Sequence, residues 1–495
     1  MPCVLGIDVG TQSLRVLLYD SDRRQSLASE SEALVVQRPA AGGAEQDAGD
    51  WLRALDTCMS RVDRGLRRSV QAVAVSGQQH GLVALDAAGD PLLPVKLWCD
   101  TTCVAEAAAL HDALGGRGAW IAKVGNPILP GYTAPKLRWL RDQKPALYQR
   151  LHTVLLPHDY LNFFLTGERA AEPGDASGTG LLDIVRRDWS DEACQAVDPS
   201  GRLRCCLPPL HTGNGPVGQL RPAAAARLGL PEGVPVASGG GDNMMGAIGT
   251  GSVQEGRLTV SLGTSGTLYT HVDRPVIDPA GQVAAFCSST GGWLPLLCTM
   301  NCTVSTELTR KLLGLDLGDV DTVAARCPPG AHGLTLVPFF TGERLPNLPQ
   351  GRACLFGLAA DNMSPAALLR AAMEGATFAL RHGLQHLQRL GLRGDHVVVT
   401  GGGSRSAVWR QILADMFAQP VRVPALCEAA AFGAALQALQ VASKARDITA
   451  IVDQHVRMDE TATVQPNPDG QAIYRERFAE YEARVAQVEA IYAST

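Results

Sequence analysis

Short apolar runs ending in glycine alternate along this chain with longer stretches whose apolar residues recur every three or four positions. The first pattern suits buried strands and the second amphipathic helices, so their alternation predicts an α/β architecture. VVVTGGGSRSAVWRQILADMF shows the unit: a strand over Val397–Thr400, a triple glycine, Ser404 as a cap, and a helix turning Val408, Ile412 and Met416 inward. A long helix is expected from Ser364 to Leu390. Near the end, Tyr474, Phe478, Tyr481, Val485, Val488 and Tyr492 lie alternately four and three apart, which predicts one apolar stripe on a helix over Ala472–Ala493. That stripe is expected to dock on its own domain, with a coiled-coil partner as the alternative.

The pattern also repeats. VLGIDVGTQSLRVLLYD (Val4–Asp20) matches LTVSLGTSGTLYTHVD (Leu258–Asp273) when Gly10-Thr11 is laid on Gly263-Thr264. Each is a strand, a Gly-Thr turn flanked by hydroxyls, and a returning strand. Two such hairpins about 250 residues apart point to a duplicated domain. Asp8 then falls on Ser261, so only the first copy carries an acid. The boundary is expected near Gly246–Gly251, giving domains 1–245 and 246–495.

Composition narrows the classes. A chain of 495 residues exceeds a single core, and 46% hydrophobic with 19% charged residues is ordinary for a globular protein. A net charge of −5 offers no basic footprint for nucleic acid and no polybasic membrane patch. Pro424–Ala442, interrupted by Glu428, Gln437 and Gln440, reads as a buried Ala-rich helix and not a membrane span. The opening MPCVLGID lacks a secretory leader's pattern. Thirteen irregularly spaced cysteines predict reduced, structural thiols, and a cytoplasmic location is expected.

The candidate chemistry lies in the glycine-rich turns. Besides the triple glycine Gly401–Gly403, VPVASGGGDNMMGAIGTG places Asp242-Asn243 at a helix start, and AVAVSGQQHGLVALD places Gln78, Gln79 and His80 between two strands. Such turns let phosphate approach backbone N–H groups, although glycines there also serve close packing. None is a P-loop or a spaced dinucleotide fingerprint. Asp8 is a turn former or a metal organiser, and Asp242 an N-cap or a base. Hard carboxylate oxygens suit Mg²⁺ beside phosphates, and a carboxylate near an acceptor hydroxyl takes its proton during phosphoryl transfer. Trp98 and Trp409 read as packing residues. Glu343-Arg344 reads as structural or as an ion pair at a cleft rim, and Glu374 as capping, solvated or nucleotide-facing.

These residues resemble the FGGY carbohydrate kinases of the actin-like ATPase superfamily. The resemblance runs in order through GIDVGTQSLRVLLYD, SGQQHGLVALD, LWCD, GYTAPKLRWL, LLPHDYLNFFLTG, GDASGTGLLDI, GGGDNMMGAIG, SLGTSGTLY, FFTGERLPN and VVVTGGGSRSAVWRQILADMF. It implies two duplicated actin-like (ribonuclease H-like) ATPase domains around a deep cleft, sugar mainly on the first and ATP mainly on the second. It implies Asp242 as the base that deprotonates the sugar hydroxyl, with Asp8 organising Mg-ATP and both acids near the metal. Gly10, Thr11 and Arg15 match a first phosphate loop, Gly263, Thr264 and Ser265 a second, and Gly401, Gly402 and Gly403 the adenosine-side turn. Gln79, His80, Asp100 and Asn243 match the sugar side.

Two positions depart from the family: Gln79 stands where relatives usually have Met, and Thr102 where an arginine is common. The expected reaction is ATP-dependent phosphorylation of D-xylulose to its 5-phosphate, with weak ATPase activity when sugar is absent. L-xylulose, ribulose or glycerol are alternative acceptors, and a homodimer is common in the family. An actin-like chaperone or filament protein is the remote alternative.

Overall fold

Strand pairing bears out the internal repeat. In this computed structural model, which describes residues 3–492, Cys3–Val9 and Ser13–Asp20 form an antiparallel hairpin, extended by Gln25–Ala33. Val70–Gly77 runs parallel to the first strand and Pro235–Ala237 parallel to that one, within a seven-stranded sheet. A five-stranded sheet repeats the plan. Gly256–Leu262, Gly266–Thr270 and Leu296–Thr299 form the meander, and Gly394–Thr400 and Val421–Arg422 continue it in parallel. Asp8 and Ser261 occupy equivalent places, and each faces a hydroxyl on the parallel neighbour, Ser76 and Thr400 respectively. The second turn is one residue shorter, because its last pair is Leu262 with Gly266 where the first closes on Val9 with Leu14.

The chain forms two compact units. One comprises the described residues up to Gln254 with Val272–Pro295 and Glu428–Val456; the other comprises Glu255–His271, Leu296–Cys427 and Arg457 onward. In the first, the helix Ala429–Ser443 packs on the helix Asp242–Thr250 and on the first strand. Glycine makes that approach possible: a Cβ on Gly433 would overlap the Met245 carbonyl, and one on Gly6 the Ala431 carbonyl. The expected buried helix therefore exists, but starts after Pro424–Glu428, with Gln437 and Gln440 both buried. Gln437 Oε1 accepts from Gly239 N at 2.8 Å, which satisfies the buried amide.

In the second unit, the expected long helix is Pro365–Arg389, capped by Ser364, whose hydroxyl accepts from Ala367 N. The C-terminal helix is Pro468–Tyr492, and it buries Tyr474, Phe478, Tyr481, Val485 and Val488 within its own unit. Ala493, its expected end, lies outside the described residues. The helix after the triple glycine is Ala407–Phe417, and its cap is Ser406 rather than Ser404, because Gly402–Arg405 forms a 3₁₀ turn first. That shift turns Trp409 inward, while Val408 stays half-buried. All thirteen cysteines are free thiols. Among the described residues, no helix is long and apolar enough to cross a membrane.

Candidate active site

In the first unit, four segments bring the expected acids and amides together. Asp8 lies next to last in the first strand, beside Ser76, whose hydroxyl donates to Asp8 Oδ1 at 2.8 Å. Burial pushes the Asp8 carboxyl up to about 6, against the Ser76 hydrogen bond and the Arg15 charge. Asp242 opens the helix Asp242–Thr250 as its first residue, and the N-cap position itself is Gly241. Its Oδ1 accepts from Asn243 N at 2.8 Å and from Asn243 Nδ2 at 3.0 Å. Among the described residues Oδ2 receives no donor. Burial, with the Asp8 and Asp175 charges, pushes Asp242 up to about 7. Two carboxylates that raise the proton affinity of one site are the setting in which a base or a cation ligand is found.

The turn after the first strand is braced from within the unit. Thr11 Oγ1 donates to Gln78 Oε1 at 2.9 Å and accepts from Trp98 Nε1 at 2.9 Å. Gln46 Nε2 donates to the Thr11 carbonyl at 2.8 Å, and Gln78 Nε2 to Gln46 Oε1 at 2.9 Å. Gly10 N closes the turn on the Ser13 carbonyl at 3.0 Å. Arg15 reaches Glu428 at 3.0 Å. Trp98 is thus more than packing.

His80 adopts φ 65°, which is uncommon for a residue with a side chain. Its ring lies 4.7 Å from Tyr132 and 5.9 Å from Phe286, and a Cβ on Gly178 would overlap it. Gln79 is buried, with Oε1 accepting from Asn243 Nδ2 at 3.0 Å. Asp100 is placed differently from the expectation of a hydroxyl acceptor. It is fully buried, with Oδ2 taken by Ala44 N at 2.9 Å and Lys96 Nζ at 3.3 Å, and Oδ1 by Thr102 N at 3.0 Å and the Thr102 hydroxyl. Burial opposes its charge, yet these partners hold its carboxyl below the usual range. Thr102 therefore closes the outer side of the Asp100 carboxylate from an exposed position.

Behind the site lies a buried group that periodicity gave no reason to single out. His158 Nδ1 meets Asp175 Oδ2 at 2.5 Å and Nε2 meets Asp159 at 3.0 Å, all fully or almost fully buried. Burial pulls the imidazole down, but the two carboxylates overcome it and hold it charged well above the usual range. Glu172, buried and pushed up to about 7, caps the short helix Pro173–Ala176 through Gly174 N and Asp175 N. LLPHDYLNFFLTG and GDASGTGLLDI were visible as motifs, but only folding shows that their ionisable residues meet.

In the second unit the glycines divide their work. Gly401 has φ 84°, and a Cβ there would press on the Leu262 backbone; one on Gly403 would press on Trp409, whereas Gly402 faces open space. The carbonyls of Gly263 and Thr264 accept from Thr303 N at 2.9 Å and Cys302 N at 3.0 Å, which ties the second turn, with Ser265 beyond it, to the helix Thr303–Leu312. Asp321 receives the Ser406 hydroxyl and Ala407 N at the start of Ala407–Phe417. Glu343 turns inward, accepting from Met300 N and Arg344 N at 2.8 Å each, so it is structural rather than a rim ion pair. Glu374 is likewise committed, to Arg370 at 2.8 Å, Tyr474 OH at 2.7 Å and Gly330 N at 3.0 Å. Trp409 Nε1 donates to Thr377 Oγ1 at 2.9 Å within the packed interior.

The repeated sheet plan thus carries an acid on its first hairpin only, with a second acid opening a buried helix. Residues 3–249 match the N-terminal domain, and residues 258–442 the C-terminal domain, of the FGGY family of carbohydrate kinases. The chain belongs to that family. It is 38% identical to a xylulose kinase of Haemophilus influenzae over 98% of this chain and 99% of that one. A solved "xyloylose kinase" from Brucella ovis superposes with TM-score 0.91 at 32% identity, covering 99% of this chain and 100% of the other. A gluconate kinase structure from Lactobacillus acidophilus reaches TM-score 0.90 at 24% identity, covering 100% and 99%, and that likeness concerns the fold alone.

Proposed function

We propose that the chain transfers the terminal phosphoryl group of ATP to D-xylulose, giving the 5-phosphate. The family supplies the class of reaction and ATP as phosphoryl donor. The xylulose kinase of Haemophilus influenzae, 38% identical along nearly the whole chain, supports the sugar. The observation that carries the chemistry is Asp242: one oxygen is held by Asn243, and the other is left to receive a proton.

In this reading, Asp242 Oδ2 takes the sugar hydroxyl proton as the oxygen attacks phosphorus, and Asn243 keeps Oδ1 from rotating into its place. His80, with Tyr132 and Phe286, is proposed to wall the sugar. Gly10, Thr11 and Arg15 are proposed phosphate-side residues on the first unit, and Gly263–Ser265 and Gly401–Gly403 nucleotide-side residues on the second. Asp100 is left out of the sugar set because its carboxylate is occupied. A cytoplasmic location belongs to the same proposal.

Mg²⁺ fits the donor set. Asp8 and Asp242 offer hard oxygens, and among the described residues no group of three or more His, Cys, Asp or Glu could hold a metal. An ion completed by phosphate oxygens and water suits such a site. When bound, it would neutralise charge developing on the transferred group. Asp8, held by Ser76, would present one carboxylate to it.

The test is ADP release by the purified chain with Mg-ATP and D-xylulose, L-xylulose, D-ribulose, L-ribulose or glycerol, with Asp242→Asn as the blank. Turnover highest on D-xylulose and lost in the variant is expected. Preference for another member would refute the sugar, and an active Asp242→Asn would refute the base.

A further inference from the structure

The side-chain amide of Gln79 is committed inside the protein. Its Oε1 accepts from Asn243 Nδ2 at 3.0 Å, and its Nε2 lies 3.5 Å from Met244 Sδ. The same Asn243 Nδ2 donates at 3.0 Å to Asp242 Oδ1. An NH₂ group has two hydrogens, and here they are divided between Gln79 and Asp242. With Asn243 N also on Oδ1, the bond to Gln79 holds the plane of the amide so that its second hydrogen points at Asp242. A Cβ on Gly241 would press on Gln79 Cγ at 2.8 Å and Nε2 at 3.0 Å, so the glutamine is wedged against the backbone that opens the helix. Behind it, Asp175 is anchored by His158 at 2.5 Å.

We infer that Gln79 is a positioning residue for the phosphotransfer step: through the Asn243 amide it fixes Asp242 Oδ1, so that Oδ2 is the oxygen presented to the sugar hydroxyl. The inference rests on Asp242 being the base. A glutamine used in this way does not read the sugar. Its replacement therefore alters the rate of the step and leaves recognition in place. An apolar side chain of similar length keeps the packing and removes the acceptor, which frees the Asn243 amide to rotate.

The experiment measures kcat and the sugar KM for Gln79→Met, Asn243→Ala and the double variant, with D-xylulose and saturating Mg-ATP. Circular dichroism and a thermal melt check each fold. Gln79→Met is expected to lower kcat by roughly tenfold to a hundredfold, the cost of a misplaced catalytic group. The sugar KM should stay within about twofold and the order of sugar preference should not change. The double variant should be no slower than Asn243→Ala, because both changes cut one link. A raised sugar KM with kcat intact, a reordered sugar panel, or an additive double variant would overturn the inference. Should Asn243→Ala not fold, the split between kcat and KM in Gln79→Met decides alone. Activity retained by Asp242→Asn, or no sugar-dependent turnover in the unaltered chain, marks instead the failure of the underlying reading.

Discussion

Lys136 Nζ donates to the His80 carbonyl at 2.7 Å, and to the Gly131 carbonyl at 2.7 Å, from a fully buried position. Thr133 Oγ1 adds a second donor to the same His80 oxygen at 3.2 Å. A backbone at φ 65° persists where its surroundings over-determine it, and here two donors from one helix do so. Lys136→Met should therefore loosen the His80 turn and raise the sugar KM by about tenfold, with ATP KM little changed. Burial lowers the Lys136 pKa to about 7, below its unfolded value. Between about 7 and that value the unfolded chain binds the extra proton, so this lysine makes stability rise with pH. The melting temperature of the unaltered protein should gain on that of Lys136→Met between pH 6.5 and 8.5. A difference that is flat with pH would show the lysine to be charged in the fold.

Asp242 is shifted the other way. Its folded pKa of about 7 exceeds the unfolded carboxylate value, so its contribution to stability is fullest at low pH and is lost as pH rises toward 7. In metal-free buffer, Asp242→Asn should melt higher than the unaltered chain at pH 8, and the advantage should shrink as pH falls toward 4. The same variant should lose about 10²–10⁴-fold in kcat, the usual worth of a general base. Lower stability at pH 8 in the variant would show that the carboxylate is satisfied in the fold.

The Ser76 hydroxyl orients the Asp8 carboxylate without reaching further. Partners of that kind commonly matter about 10–100-fold to metal affinity. Ser76→Ala is expected to raise the Mg²⁺ concentration for half-maximal turnover by about tenfold while leaving kcat at saturating metal nearly unchanged. Chelation of divalent ions should abolish turnover in every variant, and turnover persisting in excess chelator would remove the metal from the mechanism.

Much of the architecture was legible because it is local. The two Gly-Thr hairpins, the long helix after Ser364 and the aromatic stripe of the last helix are written in spacings of two, three and four. Boundaries failed where a second local solution competed, as when the 3₁₀ turn Gly402–Arg405 displaced the cap from Ser404 to Ser406. Of the candidate site, the placement of Asp8 near a strand end and of Asp242 at a helix start was legible, because both follow from pattern. It was illegible at His158, Asp175, Lys136 and Gln46, whose partners lie far along the chain or on neighbouring loops. Asp100 shows the converse: its motif stands out in sequence, and only packing reveals that Lys96, Thr102 and Ala44 have used its oxygens.

Thr11 separates two accounts of the first turn. If its hydroxyl meets phosphate directly, Thr11→Val should raise the ATP KM and leave the melting temperature alone. The structure gives the hydroxyl a different occupation, donating to buried Gln78 and accepting from Trp98. Removing it leaves the buried Gln78 amide oxygen without that partner, which costs about 1–3 kcal/mol, and takes the acceptor from the half-buried Trp98 N–H. Thr11→Val should thus lower stability by about 1–2 kcal/mol, and Trp98→Phe, which keeps the ring bulk but loses the N–H, should do likewise. Because both variants break one network, their double should lose less than the sum. Thr11→Ser keeps the hydroxyl and should stay within about 0.5 kcal/mol of the unaltered protein. Additive losses in the double variant would mean that Trp98 and Thr11 act separately, and the turn would then owe its shape to the closure of Gly10 on Ser13 alone.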